Sequence, residues 1–160
     1  MFAIDSLVPA FPGALGKIPG RTEAWHALTD SIGAGTLPKR TWALIYVAIA
    51  QRSGSDYARW VLGRMAERHW VSAEDIFLAS AGTARDATES AIVKAAWCLA
   101  SDGKESGTTI YRTLANQVGI ERATEVLSHA ALAMLACEAL DSIAPPTGKV
   151  AATQSRRRMS

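Results

Sequence analysis

The stretch Gln51-Arg52-Ser53-Gly54-Ser55-Asp56-Tyr57-Ala58-Arg59-Trp60-Val61-Leu62 joins two segments of different character. Before it, Trp42 to Ala50 is apolar on every side, the pattern of a helix buried all round. Ser53-Gly54-Ser55 then breaks the run, and the Ser55 hydroxyl is suited to capping the helix that follows. That helix is predicted to end near His69. Its spacing puts Tyr57, Val61 and Met65 on one face and lets Arg59, Arg64 and Arg68 reach solvent.

The same reading extends in both directions. Leu37-Pro38 opens the apolar helix, since proline suits a first helical turn. Upstream, a helix is predicted from about Arg21 to Ile32, with Trp25, Leu28 and Ile32 on one face and Gly33 and Gly35 ending it. Downstream, Ser72-Ala73-Glu74-Asp75 and Asp86-Ala87-Thr88-Glu89 resemble capping boxes. The first starts a short fourth helix. The second starts a helix presenting Ile92, Ala95, Ala96 and Leu99, closed by Ser101-Asp102-Gly103. A sixth helix carries Ile110, Leu114 and Val118 and stops at Gly119. The seventh spans about Glu121 to Ile143, where Ala130, Ala131, Ala133, Ala136 and Ala139 allow close helix approach.

Proline positions support this pattern. Pro9, Pro12, Pro19, Pro38, Pro145 and Pro146 leave the interval from Lys39 to Ala144 clear. An interior proline costs a helix about 3 kcal/mol, so that interval permits an almost wholly helical body. Alternating strand patterns are missing. The expected fold is an all-α helical bundle, divided into an N-terminal extension (1–19), a helical domain (20–143) and a flexible basic tail (144–160).

Composition narrows the function. At 160 residues the chain has the size of one domain, with 49% hydrophobic and 20% charged residues, ordinary for a globular protein. The net charge of +2 is carried largely by Arg156-Arg157-Arg158, which reads as a solubilising tail. No nucleic-acid face is expected. Cys98 and Cys137 are the two cysteines, and no C-x-x-C occurs. They form neither a disulfide framework nor a metal set, so no metal is expected, and both read as small hydrophobes in a reducing, cytoplasmic setting. Met1-Phe2-Ala3-Ile4-Asp5 lacks the basic start of a signal peptide. No run is expected to reach the roughly 18 apolar residues of a membrane helix.

The opening stretch also resembles the redox segment of the alkyl hydroperoxidase D / carboxymuconolactone decarboxylase superfamily, which typically reads N-G-C-x-Y-C-x-x-x-H. Here the first cysteine position is Ser55, the second is Ala58 and the histidine position is Leu62. The likeness runs from about Gly20 to Ile143. Leu37-Pro38 with its apolar helix is similar to the family's approach to the site. His69-Trp70-Val71-Ser72-Ala73-Glu74-Asp75-Ile76 resembles its G-[LV]-S-x-E-[ED]-I connection, with Trp70 where glycine is common. Ala91 to Trp97 and Glu125 to Asp141 resemble two later helices. A glutamate that the family carries on the preceding helix corresponds to Ala43.

The resemblance therefore implies the fold and homo-oligomeric assembly while arguing against the family's best-known chemistry. That peroxidase cycle needs a thiolate and a second thiol that resolves the sulfenic acid. A histidine and glutamate relay protons to them. Ala43, Ser55, Ala58 and Leu62 offer none of these groups.

Several residues remain candidates for other chemistry. Ser55 is a nucleophile by type, but without a matching base it reads as an N-cap. Asp56 is a possible general acid, or simply a carboxylate favoured in a first helical turn. Tyr57 and Trp60 are candidate pocket-lining residues, though aromatics at helical spacing are usually core. Tyr46, one turn after Ala43, is the best candidate polar group in the old pocket, and His129 is the candidate from the last helix. His26 and His69 read as surface or helix-end residues. The expected function is a redox-inactive protein that binds a small organic molecule, or performs non-redox chemistry, in an apolar pocket, with no cofactor implied. A decarboxylase-like lyase or isomerase, using Tyr46, Asp56 or His129, is the alternative from the enzyme class. A structural or interaction protein with a filled site is the third.

Overall fold

In the computed structural model, residues 20–101 and 105–142 are described. They form seven α-helices: α1 (Arg21–Gly33), α2 (Lys39–Arg52), α3 (Asp56–Arg68), α4 (Ala73–Ser80), α5 (Ala87–Leu99), α6 (Gly107–Val118) and α7 (Ile120–Ser142). The protein is an all-α helical bundle. The expectations for residues 1–19, for Asp102 and Gly103, for residues 143–160 and for the Trp25 side chain lie outside the described residues.

α2 is the axis of the bundle. Every residue from Thr41 to Ala50 is buried, because α2 packs against α3, α4, α5 and α7 together. An apolar helix surrounded on all sides needs no polar face. Contacts along α2 and α7 advance in the same order: Leu37 meets Glu125, Trp42 meets His129, and Ser53 meets Cys137. The two helices therefore run parallel. Ala123, Ala130, Ala133 and Ala136 are buried on α7, the small residues that permit this approach.

Pro38 sits one residue earlier than expected, at the N-cap of α2 with ψ 142°. Its carbonyl accepts from the Trp42 amide at 3.2 Å. The approach to α2 is held from across the bundle by Glu125, which accepts from the Thr36 hydroxyl at 2.8 Å and the Leu37 amide at 3.2 Å. A Cβ on Gly35 would lie 1.6 Å from the Glu125 carboxylate, so glycine is what lets that carboxylate come in. On α1, Ile32 packs against the core while Leu28 is half-exposed.

Both expected capping boxes form only in part. Ser72 accepts from the Asp75 amide at 3.1 Å and Asp86 from the Glu89 amide at 2.9 Å. The carboxylates of Asp75 and Glu89 turn to Arg40 in the first turn of α2. Two local signals thus become one tertiary junction.

Two helices end alike. After α3 the Val71 amide donates to the Ala66 carbonyl at 3.2 Å, and after α4 the Thr83 amide donates to the Leu78 carbonyl at 3.1 Å. This is a Schellman closure, whose turning residue takes a left-handed conformation. After α4 that residue is Gly82 (φ 78°); after α3 it is Trp70 (φ 63°). A side chain in that region costs about 1–2 kcal/mol.

α7 has the 23-residue length expected of it, begun one residue earlier, but it is more apolar than the sequence reading allowed. It is long and apolar enough to cross a membrane by length and composition alone, with a mean hydropathy of 1.3 over its best window. Yet 56% of that window is buried inside the bundle, as in the core helix of a globular fold.

Candidate functional site

The residues at the family motif positions lie in the interior around α2, α3 and α7. Ala43, Ala58 and Leu62 have no solvent exposure, and Ser55 is buried. Ser55 is the N-cap of α3 in an extended conformation, with its Oγ accepting from the Ala58 amide at 3.2 Å. Its amide donates to Ser53 Oγ at 3.3 Å. This geometry employs the hydroxyl as an acceptor at a helix start, the role that its sequence position suggests.

Tyr46 and His129, candidates from two different helices, lie near one another. Both are buried, with ring centroids 6.4 Å apart at 70°. Two further rings join them. Trp42 meets Tyr46 edge-on at 5.8 Å and lies parallel to His129 at 6.2 Å. His69 reaches Trp42 at 4.9 Å from the C-cap of α3. Trp42 and His69 were not singled out from sequence as site residues. The i, i+4 spacing of Trp42 and Tyr46 was the available signal for the first; nothing local announced the second.

Burial sets the charge states here. It pushes the Tyr46 hydroxyl far above the usual phenol range, with proximity to Cys137 adding to the effect. It pulls His129 below the ordinary imidazole value, opposed in part by Glu125 one turn earlier. His69 is lowered as well, by burial and then by Lys39. The Cys137 thiol rises to about 11 through burial, opposed by a hydrogen bond with Ser53. At neutral pH the interior therefore holds a phenol, a thiol and the neutral imidazole of His129, and a thiolate nucleophile is not among them.

The other candidates lie elsewhere. Asp56 is exposed and pairs with Arg59 along α3. Tyr57 and Trp60 stack on each other at 6.2 Å and 20°, and half of Trp60 faces solvent. Tyr57 is half-buried and packs against the core. Cys98 is separate from Cys137; both are free thiols. Cys98 opens onto a groove of about 90 Å³ between α5 and α6, beside Lys94, Ile110, Leu114 and Gln117. Among the described residues, no three histidine, cysteine, aspartate or glutamate side chains gather as a metal site.

A second polar feature, unforeseen from sequence as a unit, gathers where α2, α4 and α5 begin. Arg40 contacts Asp75 at 3.1 Å and Glu89 at 3.4 Å. Thr41 donates to Glu89 at 3.2 Å, Ser72 donates to Asp75 at 2.6 Å, and Arg85 reaches Asp75 at 3.3 Å and also pairs with Glu74. The Arg40 hydrogen bond, followed by that from Ser72, holds the Asp75 carboxyl at about 2. All its partners are already engaged with one another, which makes it a structural junction.

No protein-family model, curated protein or solved structure matches this chain. The likeness to the alkyl hydroperoxidase D-like superfamily rests on the quoted residues alone.

Proposed function

We propose that this chain is a redox-inactive alkyl hydroperoxidase D-like protein that binds a small organic molecule, or carries out non-redox chemistry, in its apolar interior. The observation that carries the reading is the content of the four motif positions. Ala43, Ala58 and Leu62 are fully buried and have no proton or electron pair to offer, and the Ser55 hydroxyl serves as a helix cap. Homo-oligomeric assembly belongs to the same proposal through the resemblance, and a reducing, cytoplasmic setting through the two free cysteines.

A peroxide assay with a dithiol reductant tests the negative half. No turnover is expected. Turnover abolished by Cys98→Ser or Cys137→Ser would overturn the reading. The positive half is tested by a thermal-shift screen of small cyclic and aromatic acids, since a ligand that binds only the folded state raises the melting temperature. Ligand stabilisation lost in Tyr46→Phe supports binding at the interior. A screen without any stabilising compound overturns binding and favours a filled, structural site.

The lyase or isomerase reading has one observation in its favour, the convergence of Tyr46 and His129. This chemistry needs at least two polar groups converging on a cavity, and the groove described above lies between α5 and α6, away from this pair. A neutral imidazole suits a general base and a protonated phenol suits a hydrogen-bond donor. Turnover of a bound lactone or β-keto acid, lost in both Tyr46→Phe and His129→Gln, would distinguish this reading from binding alone.

A further inference from the structure

The seam between α5 and α6 is left partly unfilled, and the residue spacing says why. Ala91, Ala95 and Cys98 line it from α5, and Ile110 and Leu114 line it from α6. Each set follows the three- and four-residue steps that keep side chains on one helix face. The α5 residues are small, so they leave space in front of the larger pair on α6. What remains is a groove of about 90 Å³ with an apolar floor, where Ala95, Ile110 and Leu114 are buried. An apolar space of about 150 Å³ holds a benzene ring, so this one suits an aliphatic group of about three or four carbons.

The rim adds two charges of opposite sign. Lys94 stands midway along α5, and Glu105 comes just before Ser106, the N-cap of α6. Both are exposed and both line the groove. Among the described residues neither forms an ion pair, with the other or with a third group. The other polar groups of the rim, Thr113 and Gln117, are neutral.

We propose that the α5–α6 groove binds a small zwitterion, an α-amino acid with a short aliphatic side chain. Its carboxylate lies against Lys94, its ammonium against Glu105, and its side chain over Ala95, Ile110 and Leu114. The groove is separate from the Tyr46 and His129 interior, so either reading can fail without the other.

Charge selects the occupant. A simple carboxylic acid would bring its anion to Glu105 as well as to Lys94. A simple amine would bring its cation to Lys94 as well as to Glu105. A neutral ligand leaves both side chains without a partner. A ligand that carries both signs on one carbon meets each rim charge with its opposite, and the volume of the floor limits what else that carbon can bear.

Cys98 supplies the readout. It is part-exposed at the groove while Cys137 is buried, so an occupant slows iodoacetamide alkylation of Cys98, followed by mass spectrometry on the full chain. L-Valine is expected to slow it saturably, with the weak affinity of so small a ligand. Isovalerate is valine without the amine, and isobutylamine is valine without the carboxylate. Each should bind about five-fold more weakly, the contribution of one exposed charge pair. Glycine lacks the side chain and phenylalanine exceeds the space, so both should protect poorly. Lys94→Gln and Glu105→Gln should each weaken valine about five-fold. Lys94→Gln should also bring isobutylamine level with valine, a change of preference that a structural role would not produce. Each variant is compared with itself with and without ligand, and circular dichroism melting checks that both fold. The proposal is overturned if valine leaves Cys98 alkylation unchanged in the wild type. It is equally overturned if isovalerate and isobutylamine protect as well as valine, or if protection by valine survives intact in both variants.

Discussion

Arg40 and Ala43 are three residues apart on the same helix, and their surroundings are opposites. At Arg40 the starts of three helices bring together two arginines, three carboxylates and two hydroxyls, each with a partner. Around Ala43 the core is alanine, leucine and aromatic rings, and the ionisable groups in it are held neutral by burial. The difference is one of access. Arg40 keeps a third of its side chain in water, while Asp75 is buried but has charged neighbours on two sides. A charge persists where partners or solvent replace its hydration, and one turn deeper neither is at hand.

The largest effect should come from placing an acid on the apolar side. Ala43→Glu places a long, ionisable side chain at a site with no exposure. Overpacking together with an unmatched buried carboxyl should cost about 4 kcal/mol or more, read from urea unfolding at pH 7. The penalty should lessen on acidification, because a buried carboxyl sheds its charge as a proton becomes available. A loss under about 1 kcal/mol would mean that space and polarity surround Ala43, and the contrast with Arg40 would fail.

Asp75→Asn attacks the polar side of the comparison. The Asp75 carboxyl is depressed to about 2 by its partners. A depressed carboxylate contributes stability above its unfolded value near 3.9 and loses it as pH falls through the folded value. The substitution should therefore cost about 2 kcal/mol at neutral pH. The gap to the wild type should close below about pH 2. Guanidinium unfolding across that range checks it, and a gap independent of pH would assign the loss to packing instead.

Legibility divided along the same line. The helices could be read because their signals are local. Ser55, Ser72 and Asp86 each cap the helix expected of them, and the unbroken apolar run from Trp42 to Ala50 announced a helix buried on all sides. The Arg40 junction could not be read as a unit. Asp75 and Glu89 looked like members of local capping boxes, and only the packing of α4 and α5 on α2 redirects them. His69 was equally opaque, since a histidine at a helix end gives no hint of the tryptophan it will meet across the bundle. Tyr46 and His129 were legible as candidates by residue type and helix. Their meeting depends on α2 and α7 running parallel, a tertiary fact.

A smaller effect tests whether Ser55 belongs to the structural side of the contrast. Removing its Oγ by Ser55→Ala leaves the Ala58 amide without its cap acceptor and should cost about 1 kcal/mol, measured by thermal or urea unfolding. Ligand stabilisation found in the screen should survive. If Ser55→Ala unfolds like the wild type but abolishes ligand response, the hydroxyl acts on the ligand and the cap is secondary.

The smallest effect is a slope rather than an offset, and it asks whether the aromatic interior is sensitive to protons at all. His129 is buried between Trp42 and Tyr46, and burial lowers its pKa below the ordinary value. The unfolded chain therefore binds the proton more readily than the fold does. Stability rises with pH wherever the unfolded state holds more protons, so the wild type should weaken as pH drops from about 7 through the ordinary imidazole value near 6.5. Tyr46 faces His129 from α2 as a neutral phenol, and Glu125 on its own helix reduces the effect without reversing it. His129→Phe should flatten the slope between pH 7 and 5, leaving a remainder from His69, which is lowered in the same direction. Any packing change shifts the whole curve and cancels from the slope. An unchanged slope in His129→Phe would mean that His129 is protonated equally in both states. The interior around Ala43 would then tolerate charge, and its separation from the Arg40 junction would be one of packing rather than polarity.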